Sequence, residues 1–120
     1  MRAIKIDPYK CNVRSIEVEP DTIARALGSE ITDTIDFEQM HCLVIDDGDH
    51  HPDRPARFRF TNGPERPFFG PVLILGVEHG NWIPATLSPE RLKARIIWEE
   101  WDSSTQQYAV SRPAKMAVPA

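Results

Sequence analysis

An α+β fold, with a mostly antiparallel sheet and two short helices in a single domain, is what the sequence predicts, and three observations carry that expectation. Apolar and polar residues alternate with period two in several short runs, as in strands with one buried face. Turn residues punctuate those runs, at Asp7-Pro8, Asn62-Gly63-Pro64, Gly70-Pro71 and Gly80. Only "TIARALG" and "SPERLKA" combine helical spacing with a start signal.

Taken in order, "RAIKID" at 2–7 places Ile4 and Ile6 on one face of a strand, and Asp7-Pro8 ends it. "VRSIEVE" at 13–19 alternates in the same way, so the two are expected to form a hairpin. Pro20 opens a short helix over 20–28, with Ile23, Ala26 and Leu27 on one side and Gly28 as its stop. "ITDTIDF" and the β-branched "HCLVID" at 41–46 read as two further strands. In "ARFRF" at 56–60, Phe58 and Phe60 face the core while Arg57 and Arg59 project from the other face.

"FFGPVLILG", bounded by Gly70-Pro71 and Gly76, is the best candidate for a central strand, and "EHGNW" for a hairpin turn with Gly80 at positive φ. Ser88 caps a second short helix that begins at Pro89, and "RIIW" then returns to a strand. The domain is expected to span 1–110, followed by an extended or mobile tail over 111–120 that is rich in Pro and Ala and lacks periodicity.

Composition bounds the function. With 120 residues and 41% hydrophobic content the chain can bury one core without staples. Eighteen acidic residues against 14 Lys plus Arg, a formal charge of −4, disfavour nucleic acid, whose binders carry a basic stripe. The acids are interleaved with arginines, which disfavours mimicry of DNA. Cys11 and Cys42 form no C-x-x-C pair, and the start lacks a secretory pattern, so a cytoplasmic protein is expected. No apolar run is long enough to span a bilayer.

Three groups of residues could carry chemistry. "IDDGDHHPD" at 45–53 offers Asp47, Asp49, His50 and His51 as ligands for Mg²⁺, Mn²⁺ or Zn²⁺, and a metal-bound water there would attack a phosphate ester held by Arg57 or Arg59. The spacing argues against this. Pro52 stands where an EF-hand loop needs glycine and Phe58 where it needs glutamate, so a polar turn with Asx bonding is the plainer reading.

Arg57, Arg59 and Arg66, with Arg54 nearby, suit a phosphate or carboxylate, and Trp82 could stack on a base beside them. The alternative is cross-strand pairing of Arg57 and Arg59 with acidic neighbours. Trp98 and Trp101 fall on opposite faces of one strand, so one of them could anchor a partner protein. No nucleophile motif or glycine-rich phosphate loop occurs, and no cofactor is implied.

The opening "MRAIKIDP", the strand and turn "HCLVIDDG", the strand "FRF" and the segment "PERPFFGPVLILGVEHG" together resemble a family. It comprises short phage, prophage and plasmid proteins grouped as a domain of unknown function, with an acidic V-D-D-x-G turn and a P-x-x-G-x-x-L-I-x-G segment. Asp46, Asp47, Gly70 and Gly76 match its recurrent positions, over a resemblance covering most of the chain up to "RIIWEE". Members generally lack the "HHPD" continuation, and the family supplies no catalytic residues. The resemblance implies a small accessory protein of a mobile element that acts stoichiometrically. Its partner would be a host protein or an anionic small molecule such as a nucleotide signal, and a homo-oligomer is expected.

Overall fold

The fold is that of a computed structural model, which describes residues 1–28, 32–46 and 55–111. Among the described residues ten strands, β1 Arg2–Asp7, β2 Asn12–Glu17, β3 Thr32–Asp36, β4 His41–Asp46, β5 Ala56–Phe60, β6 Phe68–Phe69, β7 Val72–Glu78, β8 Asn81–Ile83, β9 Ile96–Asp102 and β10 Gln107–Val110, are joined by two short helices, α1 Ile23–Leu27 and α2 Pro89–Ala94. Every strand pair is antiparallel, and the strands divide into two sheets. The larger runs β2-β1-β7-β4-β3, with β8 against the far half of β7, and the smaller runs β10-β9-β5-β6. The sequence predicts the alternation but not its partition. Gly70, at φ 88°, and Pro71 carry the chain from β6 in the smaller sheet to β7 in the larger one.

The inner faces of the two sheets form the main core. Ile4, Ile6, Leu43, Ile45, Val72 and Ile74 from the larger sheet meet Phe58, Phe60, Phe68 and Trp98 from the smaller, and Leu92 of α2 closes one side. The aromatic rings meet tilted or offset, with centroids 5.4 Å apart for Phe58 and Phe68 and 6.1 Å for Phe58 and Trp98.

The opposite face of the larger sheet is also apolar. Ala3, Val44, Leu73 and Leu75 there receive Val18, Ile23 and Leu27 from α1 and the chain before it. Burial on both faces explains why "VLIL" and "HCLVI" are apolar without alternation. It also explains why Ala3, on the face opposite Ile4 and Ile6, is fully buried.

The expected helix over 20–28 begins as a 3₁₀ turn at Pro20–Thr22 and becomes α-helical at Ile23. Glu19 and Thr22 bond reciprocally across that turn, and Gly28 ends the helix at φ 82°. At α2 the Ser88 hydroxyl accepts from the Arg91 N–H, as expected of an N-cap.

Beyond Gly76, β7 exchanges β1 for β8 on the same edge. A Cβ at Gly76 would stand 2.6 Å from Ile83 Cγ1 and 2.9 Å from the Pro84 carbonyl oxygen. Glycine is therefore required by close approach rather than by a turn. The loop that follows is tied down from two sides. Arg2 donates to the carbonyls of Ala85 and Leu87 at 2.8 and 3.0 Å, and the Ala85 N–H donates to Arg2 O at 2.8 Å. No helix among the described residues is long and apolar enough to cross a membrane.

Candidate binding cleft

The structure separates the residues that the sequence suggested as one site. Arg57 and Arg59 do project from the outer face of the smaller sheet, as the alternation requires, but Glu99 of the neighbouring strand receives both. Arg57 Nε lies 2.6 Å from Glu99 Oε1 and Arg59 Nη2 lies 3.3 Å from Oε2. Arg57 also lies over the Tyr108 ring, 3.9 Å from its centroid, and 5.7 Å from that of Phe69. Only 6% of Glu99 is exposed, so the carboxylate is buried beneath the guanidiniums that neutralise it.

Arg66 sits against Phe68, 5.1 Å from the ring centroid. Trp82 belongs to β8 and packs on the α1 side of the larger sheet, a whole sandwich away from Arg57 and Arg59. Among the described residues no pocket therefore joins these arginines to Trp82. Trp98 is buried in the core, and Trp101 is half-buried against Tyr108, centroids 5.2 Å apart.

The metal reading on Asp47, Asp49, His50 and His51 lies outside the described residues, as do Arg54 and the tail 112–120. Among the described residues no group of three or more His, Cys, Asp or Glu side chains is placed to hold a metal ion.

Trp82 does border a cleft. The helix α1 is only five residues long and covers one end of the larger sheet, leaving Cys42 of β4 and Val77 of β7 as the floor of an open depression of about 360 Å³. That volume is within the range of small-molecule sites. Thr34 and Asp36 of β3 form one wall, Trp82 and Asn81 of β8 the other, and Glu38 with Met40 from the β3–β4 turn closes an end. Register places these side chains together. Asp36 is opposite Cys42, and Val77 is opposite Trp82, all on the α1 face of the sheet. Three inter-strand steps of about 4.8 Å separate β3 from β8, so the two walls stand roughly 14 Å apart at the backbone.

The closing turn is strained. The His41 N–H donates to Glu38 O at 2.8 Å and leaves Met40 at φ 60°, a left-handed conformation that glycine or asparagine ordinarily takes. Met40 is nonetheless a large apolar residue, half exposed at the mouth of the cleft. The Val77 N–H holds it there by donating to Met40 O at 2.8 Å.

His41, Cys42 and Glu38 of the cleft are engaged. The Thr86 N–H donates to His41 Nε2 at 3.0 Å, so the ring proton resides on Nδ1, which faces Gln39 O at 3.0 Å. Both nitrogens are therefore occupied, and His41 pins the loop that leads to α2. Burial, aided by the nearby Asp36 carboxylate, pushes the Cys42 thiol up to about 11, so it stays protonated and unreactive near neutrality. Glu38 pairs with Arg95, whose guanidinium also donates to the Asn62 carbonyl and lies over Phe37.

Cys42 was readable as inert from its apolar strand. The role of Asp36, Met40 and Val77 was not, because it depends on how little of the sheet α1 covers. No protein-family model, curated protein or solved structure matches the chain.

Proposed function

We propose that the chain is a non-catalytic binding protein whose ligand site is the cleft between β3 and β8. One observation carries this reading: an open, partly apolar depression with an aromatic wall has a floor and a histidine whose reactive atoms are protonated or hydrogen-bonded. Such a site can hold a group in place, while its histidine and its thiol are not free to act as base or nucleophile. The strained Met40 supports the same reading, since backbone strain of this kind, costing about 1–3 kcal/mol, concentrates at ligand clamps.

An anionic ligand read by Arg57 and Arg59 is less favoured. Both guanidiniums already face Glu99, and a competing carboxylate or phosphate would have to displace a buried partner. Origin in a phage or other mobile element rests on the resemblance of "HCLVIDDG" and "PERPFFGPVLILG", and stoichiometric action fits a site whose histidine and thiol are engaged.

The test is a screen of small organic fragments against the ¹⁵N-labelled chain, read at the Trp82 indole and the Cys42 and Val77 amides. Shifts grouped on those positions and abolished by Trp82→Ala support the reading. Shifts confined to Trp101, Tyr108 and Val110, or none anywhere, overturn it.

A further inference from the structure

Resting on the cleft being the ligand site, we propose that it takes an amphipathic organic cation, with an ammonium or guanidinium head at Asp36 and an apolar body lying across Cys42 and Val77 towards Trp82. Among the described residues, those around the depression include two carboxylates, Asp36 and Glu38, and neither Lys nor Arg. Glu38 is already paired with Arg95, whereas the Asp36 carboxylate has no hydrogen-bond or ion-pair partner among the described residues. An anion entering the cleft would meet the unneutralised carboxylate at short range, and a cation would neutralise it.

Geometry decides which end goes where. The walls are roughly 14 Å apart at the backbone, too far for one charged group to touch both the Asp36 carboxylate and the Trp82 ring. The head therefore belongs at Asp36. Between that wall and Trp82 the surface is made by the Cys42 thiol and Val77, with Met40 at the end, which suits a short hydrocarbon body. The raised thiol of Cys42 reports the same negative field, because Asp36 contributes to it after burial.

Arginines lie over several other rings of this fold, Arg57 over Tyr108 and Phe69, Arg66 over Phe68, and Arg95 over Phe37 and Phe60. Trp82 has no such resident among the described residues, so its half-exposed ring is left for a ligand.

Matched probes of one length separate charge from hydrocarbon: hexylammonium, hexanoate and hexanol, titrated into the labelled full chain at low salt. Hexylammonium is expected to shift the Trp82 indole saturably, at least about ten-fold more tightly than hexanoate. Because Asp36 is exposed, Asp36→Asn should cost only about three- to five-fold, while Asp36→Lys should reverse the preference in favour of hexanoate. Retained amide spectra show that both variants fold.

Binding of hexanol or hexanoate as tight as that of the amine, or an unchanged preference in Asp36→Lys, overturns the cation assignment and leaves the cleft standing. Failure of all three probes to move Trp82 overturns both. A short lysine-bearing peptide that binds better than hexylammonium assigns the cation to a protein side chain, and the reverse order assigns it to a free amine.

Discussion

Glu99 is the residue on which the smaller sheet's outer face depends. Its carboxylate is buried under Arg57 and Arg59, so removing its charge while keeping its size leaves two guanidiniums without their partner. Glu99→Gln should lower unfolding stability by about 1–3 kcal/mol, reduced from the cost of a fully buried pair because Arg59 is half exposed. A urea midpoint equal to wild type within error would show that the clamp is idle. Cys42 gives a prediction of opposite character. The folded chain holds its proton above the ordinary thiol value of 9.0, to about 11, so it contributes nothing against pH below 9. Between those values the unfolded chain loses its proton first, and stability falls by on the order of 2 kcal/mol. The wild-type slope minus that of Cys42→Ala isolates this loss from lysine and tyrosine titration, and identical slopes would refute it. Much at this scale was legible beforehand. The alternation in "ARFRF" set Phe58 and Phe60 inward and the arginines outward, but the partner of those arginines is 42 residues away from Arg57 and depends on register that no local pattern contains.

Turns and edges set the shape of the cleft at the level of elements. The β7–β8 hairpin closes through His79 and Gly80, at φ 53° and 78°, the pair of positive values that a two-residue turn of type I′ requires; "EHGNW" announced the turn and Gly80 but not His79. Gly76 was legible as a glycine but not for its reason. Gly76→Ala should destabilise by about 3 kcal/mol or prevent folding, since its Cβ would collide with Ile83 and the Pro84 backbone, and retained wild-type stability would contradict the packed crossing of β8. Met40 is predicted to behave in the reverse sense. Met40→Gly removes the left-handed strain and should raise stability by about 0.5–1 kcal/mol while weakening ligand capture, because the thioether closes one end of the cleft. Lower stability in that variant, or capture unaffected, would remove Met40 from the account. The shortness of α1 follows from Pro20 and Gly28, both visible in the sequence. That it stops short of Cys42 and Val77 is a tertiary fact, since coverage depends on where the helix lands on the sheet.

Taken whole, the molecule is a sandwich in which the larger sheet is shared by two cores, and this distribution separates stability from function. Amides of β4 and β7, flanked on both edges and both faces, should exchange with solvent most slowly, and those of β10 and β3 at the sheet edges fastest, as hydrogen exchange would read. The class of fold was legible because strand alternation and turn residues are local. The split into two sheets was not, because a single Gly70-Pro71 step performs it in the middle of a continuous apolar run. The candidate site was legible only in Trp82, as its remaining walls are assembled by register across β3, β4, β7 and β8. The most direct measurement of the central claim is the set of nuclear Overhauser contacts between bound hexylammonium and the labelled chain. Contacts from the hexyl protons to the Val77 methyls and the Trp82 ring, with the methylene next to nitrogen nearest Asp36, are the predicted result. Contacts instead to Trp101, Tyr108 and Val110 on the smaller sheet's outer face would contradict it.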